Sequence, residues 1–154
     1  RLKLTDVEDT RFLHCNIKTL NLLVNVMAAE KAESMGCGEC VFHRGDVVTE
    51  CAHSNVSIIK DGIFKTHPTD HYILPGITRM HIIQICKDNG IIVDETPFTM
   101  AELMDADEII VSSSTKFCSP ACEMNGTPIG GKAPELVKLI QEKYMEKFEN
   151  ETAN

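Results

Sequence analysis

Apolar residues recur at Leu20, Leu23, Val24, Met27 and Ala28, the three-and-four spacing of one helix face, and Gly36 follows as a C-terminal stop. The spacing predicts a helix over residues 20–35. The period then shortens to β-rich runs separated by turn dipeptides: ECVFHR, Gly45-Asp46, VVTE, then NVSIIK, Asp61-Gly62, IFKTH. Asp-Gly between two apolar runs predicts a hairpin, because that pair accepts the positive φ a tight turn demands. Pro75-Gly76 interrupts the chain, and Ile77, Met80, Ile83 and Cys86 mark a second helix closed by Asn89-Gly90. IIVDET predicts a strand. Thr99-Met-Ala-Glu102 has the form of a capping box, in which each side chain satisfies a free N–H of a short helix's first turn. EIIVSSS predicts a buried strand running into hydroxyl residues, and Asn125-Gly126 a further hairpin turn. Pro134 suits the first turn of a final helix striped by Val137, Ile140, Tyr144 and Phe148. Residues 1–14, polar with scattered apolar positions, read as an interdomain linker. Strands and helices mix without strict alternation, so the expected class is α/β or α+β with a mixed sheet.

With 154 residues, 43% of them hydrophobic, the chain is the size of one domain that folds on its own core. No apolar run approaches the ~18 residues of a membrane span, and no N-terminal segment has the order of a signal peptide. A membrane partner is therefore not expected. The chain begins with Arg1 rather than Met, which suggests a fragment or a processed product. Its net charge of −8 repels polyanions and argues against a nucleic-acid partner. Seven cysteines without an export signal suggest reduced thiols and a cytoplasmic protein. Cys37-x-x-Cys40 and Cys118-x-x-x-Cys122 lie 77 residues apart, too far for the usual paired zinc spacing, so no metal is expected.

Few residues suggest chemistry singly. Lys18 lies next to a helix start, and Glu50 closes a β-rich run. Gly76-Ile-Thr-Arg79 opens a helix after Pro75, where free N–H groups and a hydroxyl make a site for phosphate. Ser112-Ser-Ser-Thr115 gathers hydroxyls at a strand end. The ordinary reading of each is a solvated charge, an exposed acid, a capped helix or a polar loop. Together they suit pyridoxal 5′-phosphate, which needs an amine for a Schiff base, an acid beside its ring nitrogen and a cradle for its phosphate.

The stretches CNIKTLNLLVNVMAAEKA, VFHRGDVVTE, SNVSIIKDGIFKTHP, ILPGITR and DEIIVSSST, with a closing Gly-Lys and helix, resemble the C-terminal half of the class IV (fold type IV) pyridoxal-phosphate aminotransferases. Ile-Lys-Thr-Leu-Asn is most similar to the D-amino acid branch. The resemblance implies a mixed β-sheet or barrel with flanking helices, and a C-terminal cofactor-binding domain over residues 15–150. It implies Lys18 as the Schiff-base lysine and catalytic residue, Glu50 as the acid on the pyridine nitrogen, and Leu74 as the side chain against the ring face. Ile77, Thr78, Ser113 and Ser114 match the phosphate cup. It also implies exchange of an amino group between a D-amino acid such as D-alanine and a 2-oxo acid such as 2-oxoglutarate, in a homodimer. Branched-chain aminotransferase and aminodeoxychorismate lyase are the alternatives within the family. The family's N-terminal domain has no counterpart here, so the chain is expected to be an inactive fragment, or, as a reading of another class, a non-catalytic folded module with an incomplete site. Cys51-Ala52-His53 stands where the family has glycine and serines, which puts the freedom of that turn in question.

Overall fold

The computed structural model describes residues 1–152. Its strands are β1 (Leu2–Glu8), β2 (Glu39–Arg44), β3 (Val47–Cys51), β4 (Asn55–Lys60), β5 (Ile63–Thr66), β6 (Ile92–Asp94), β7 (Glu108–Ser113), β8 (Phe117–Met124) and β9 (Thr127–Pro128). The helices are α1 (Leu23–Ser34), α2 (Ile77–Asp88), α3 (Met100–Asp105) and α4 (Pro134–Thr152).

One mixed sheet carries every strand in the order β3-β2-β1-β8-β7-β4-β5-β6, with β9 added to β8, and it curls into a half-barrel with flanking helices. β1 runs parallel to both β2 and β8, and β5 runs parallel to β6; the remaining pairs are antiparallel. The turns follow the dipeptide cues. Asp61 and Gly62 take φ of 49° and 77°, and Asn125 and Gly126 take 49° and 80°, so both residues of each turn occupy the left-handed region. Gly45-Asp46 joins β2 to β3.

The core has apolar clusters on both faces. Ile58, Ile109 and Val111 join one with Leu4, Phe98 and Leu103. Their neighbours Ile59 and Ile110 join another under α2 and α4, with Ile82, Cys86, Val137, Ile140 and Tyr144. Successive strand residues point to opposite faces, so β4 and β7 bury both sides, β7 with the apolar run Ile109, Ile110 and Val111 and β4 with Asn55 and Ser57 among its buried residues. A third cluster packs Ala28 and Ala32 of α1 on Cys40 and Phe42 of β2. Phe148, expected in the α4 stripe, is half exposed.

Residues 2–8, expected as part of a linker, instead form β1, hydrogen-bonded on both sides. The segment disguises itself because its buried polar groups have distant partners: Thr5 Oγ1 donates to Asn125 Oδ1 at 2.8 Å, and Asn125 Nδ2 reaches Asp6 Oδ1. Helix α1 starts later than expected and its buried face is rotated, keeping Ala28 and Val24 of the expected stripe against the core. It buries Asn25, Ala28 and Ala32, while Leu23 and Met27 of the expected stripe are 69% and 62% exposed.

At α3 both halves of the capping box form, with Thr99 Oγ1 accepting from Glu102 N at 3.1 Å and Glu102 Oε2 accepting from Thr99 N at 2.8 Å. Thr99→Ala removes the cap and is expected to cost about 1 kcal/mol, a loss of roughly 2–4 °C in Tm by thermal denaturation.

Candidate active site

Four segments converge on a cavity of about 530 Å³: the stretch between β1 and α1, the β3–β4 turn, the lead into α2, and the β7–β8 turn. Its lining includes Lys18, Glu50, Leu74, Ile77, Thr78, Ser113 and Ser114, so every site residue expected from the sequence borders one space.

Lys18 is exposed at the cavity, and among the described residues no carboxylate pairs with its ammonium. Its segment is pinned by Cys15 N donating to His71 O at 2.8 Å. Glu50 is 5% exposed. Its Oε1 accepts from Arg11 Nη1 at 2.6 Å, and its Oε2 accepts from Asn55 Nδ2 at 3.1 Å and Leu74 N at 3.0 Å. Arg11 in turn grips Asp9 with two parallel bonds, Nε to Oδ1 and Nη2 to Oδ2, each 2.9 Å. Asp9 Oδ2 also accepts from Thr49 Oγ1 at 3.2 Å and faces Arg44 Nε at 3.3 Å.

Burial pushes the Glu50 carboxyl up to about 7, against the pull of Arg11 and the Leu74 N–H. For Asp9 the balance is reversed: burial is outweighed by the Arg11 and Arg44 guanidiniums, which hold its carboxyl below the usual range. One guanidinium thus serves two buried carboxylates. Glu50, which holds a single bond from it, is the one left short of positive charge.

Gly76 caps the start of α2 with no side-chain partner, and no acid occupies the helix's first turn. The helix-start N–H groups at Ile77 and Thr78 therefore border the cavity without a side-chain competitor. Gly76 is required by packing: a Cβ there would run into Asn55 Oδ1. Asn55 also donates to Leu74 O at 2.9 Å, so one amide orders Glu50, Leu74 and the helix start together. Opposite, Ser113 Oγ accepts from Lys116 N at 3.1 Å and stands 3.3 Å from Thr115 Oγ1. Accepting from Lys116 N leaves the Ser113 hydroxyl to donate either to Thr115 Oγ1 or to a ligand.

Residues 2–124 match the family of class IV amino-transferases. The chain belongs to that family. Among curated relatives, the D-alanine aminotransferase of Listeria monocytogenes serotype 4b is 48% identical over 136 residues, covering 87% of this chain and 47% of the relative. That of Staphylococcus haemolyticus is 47% identical over 144 residues, covering 91% and 51%. The chain spans about half the length of the curated relatives it matches. Among solved structures, a fold IV transaminase from Curtobacterium pusillum superposes with a TM-score of 0.86 at 20% identity, over 97% of this chain and 53% of that one. The branched-chain amino acid aminotransferase of Escherichia coli gives 0.84 at 26% identity, over 94% and 51%. The family's fold is therefore the fold of this class IV aminotransferase chain.

Arg11, Asp9 and Asn55 were not legible as site residues. Arg11 meets Glu50 across 39 positions of sequence, and nothing local distinguishes it from a surface arginine. The substitution at Cys51 proves harmless to the backbone, since Cys51 is absent from the positive-φ residues and ends β3 with its N donating to Ser54 O at 2.7 Å. Among the described residues all seven cysteines are free, no cluster of three or more metal-ligating side chains forms, and no helix is long and apolar enough to cross a membrane.

Proposed function

We propose that the protein carrying this chain uses pyridoxal 5′-phosphate to transfer an amino group between a D-amino acid, such as D-alanine, and a 2-oxo acid, such as 2-oxoglutarate. The observation that carries the reading is the meeting of an unpaired lysine, a buried carboxyl and a helix-start anion cup in one cavity. The relatives named D-alanine aminotransferase support the substrate class.

The donor set fits the cofactor. The Glu50 carboxyl is pushed up to about 7 by burial even with Arg11 beside it, and a pyridinium N–H against it would supply further positive charge. The uncapped helix start at Ile77 and Thr78 and the hydroxyls of Ser113 and Ser114 match a phosphate dianion. Leu74 borders the cavity beside Glu50, where it covers a ring face. When bound, the cofactor supplies the electron sink for a carbanion at the substrate Cα.

The chain's own residues divide the remaining work. Lys18 Nζ would hold the cofactor as its nucleophile, and as a free amine it would be the base that moves a proton at the substrate Cα. Glu50, fixed by Arg11, Asn55 and the Leu74 N–H, keeps a proton on the ring nitrogen. The phosphate cup anchors the ligand remotely from the reacting atoms and so sets its tilt.

Residues 15–150 with β1 form the cofactor-binding domain in this reading. A second domain and a homodimer partner complete the site and cover the apolar residues that α1 and its approach leave outward, among them Leu20 at 98% exposure. The seven free thiols support the cytoplasm as the working compartment. Borohydride reduction of the cofactor-loaded protein followed by peptide mapping tests the assignment. The label is expected on Lys18; a label on another lysine, or none in the full-length protein, overturns it. The 154-residue chain is expected not to turn over D-alanine and 2-oxoglutarate alone, and turnover at the full-length rate would refute the need for a second domain.

A further inference from the structure

We propose that Lys116 is a positioning residue, whose ion pair with Glu39 braces the β7–β8 turn so that Ser113 and Ser114 are aimed at a phosphate monoester dianion. The inference rests on the phosphate subsite proposed above and adds to it a part the subsite residues do not contain.

Glu39 opens β2 and is 2% exposed. A carboxylate that deep in a protein requires partners, and it has three. Lys116 Nζ donates to Oε2 at 2.9 Å, Ser54 Oγ donates to the same oxygen at 2.9 Å, and Cys40 N donates to Oε1 at 3.1 Å. The first two come from neighbouring turns at one end of the β4–β7 ladder, where Asn55 stands opposite Ser112. Ser54 lies in the β3–β4 turn and lines the cavity directly; Lys116 follows immediately on Ser113, Ser114 and Thr115, which line it too. One buried carboxylate therefore adds a side-chain tie between two turns whose strands the β4–β7 ladder already pairs through the main chain.

Lys116 also shapes the turn through its main chain. Its N donates to Ser113 Oγ at 3.1 Å, and its O accepts from Ser119 Oγ at 2.7 Å. The ion pair fixes where this residue sits, the residue fixes the Ser113 hydroxyl, and the hydroxyl borders the cavity, where it can donate to a ligand or to Thr115 Oγ1. An unbraced turn carrying the same serines would have to be ordered by the ligand itself, which weakens binding of the ligand's phosphate end. The ring end, held by Lys18 and Glu50, makes no use of the brace.

That asymmetry gives the test: binding of pyridoxal 5′-phosphate and of pyridoxal, which lacks the phosphate, measured on the unaltered protein and on Lys116→Met, Lys116→Arg and the double variant Lys116→Met/Glu39→Gln. Lys116→Met is expected to weaken pyridoxal 5′-phosphate roughly tenfold while pyridoxal stays within about twofold. Lys116→Arg, which can reach Glu39 with the same charge, is expected to restore the phosphate preference. Because Lys116→Met leaves the Glu39 carboxylate buried without its cation, that variant risks unfolding; the double variant removes both charges and is expected to show the same selective loss in a folded protein. Equal loss for both ligands, or a phosphate preference that survives in the folded double variant, overturns the brace and leaves the proposed function standing. An unaltered protein that binds the two ligands equally has no phosphate subsite, which overturns the function and the brace together.

Discussion

Lys18→Ala is expected to abolish transamination, with a loss of about 10⁴-fold or more, because it removes the nucleophile and the proton-transferring base at once. General-base contributions alone run to about 10²–10⁴-fold, and no second amine among the cavity-lining residues takes over the covalent role. The fold is expected to be indifferent. Lys18 is exposed, forms no ion pair with a described residue and lies outside the apolar clusters, so its truncation should change stability by no more than about 0.5 kcal/mol. The decisive comparison is turnover of D-alanine with 2-oxoglutarate by the full-length protein beside its thermal denaturation midpoint. A folded Lys18→Ala protein that retains activity removes Lys18 from the mechanism.

Arg11→Met is expected to have the largest effect on stability. It takes the shared cation from Glu50 and Asp9, both almost fully buried, and breaking such a cluster from one side costs about 3–5 kcal/mol. The pH dependence separates the two acids. Glu50 has its folded value raised from 4.5 to about 7, so the folded state holds its proton where the unfolded chain has released it. Its contribution is complete below pH 4.5 and is lost as pH rises through about 7, a change of about 3 kcal/mol. Asp9 has its folded value lowered from 3.8, so its contribution is present above that value and is lost as pH falls through the folded one. Protein without cofactor is therefore expected to lose stability between pH 5 and 8, measured by urea midpoints. Glu50→Gln should flatten that slope. Arg11→Met should steepen it, because both carboxyls then lose the charge that holds them down. A slope unchanged in Glu50→Gln would show that this carboxyl is not the group titrating.

How far the sequence speaks depends on where a residue's partner lies. The Asp61-Gly62 and Asn125-Gly126 turns and the Thr99–Glu102 box need only their own backbone, and all three form as the residues suggest. The same holds for burial on both faces of β7, where Ile109, Ile110 and Val111 leave no polar face to expose. The candidate site was legible at Lys18, Glu50, the helix start and the serines because each belongs to a short stretch characteristic of the family. Helix α1 shows the limit. Its periodicity was readable, but not which of two competing faces would pack, because Ala28 and Ala32 fit close against β2 where larger side chains would not.

By itself, then, the chain's sequence determined most of the local elements, the mixed class and seven of the side chains that border the cavity. Only the tertiary structure decided that residues 2–8 are a central strand, that Arg11 joins Asp9 to Glu50, and that Glu39 meets Lys116 across 77 positions. The physical reason is one of range. Turns and caps are stabilised by bonds closed within a few residues, whereas a buried charge is stable only against a partner that folding brings from elsewhere.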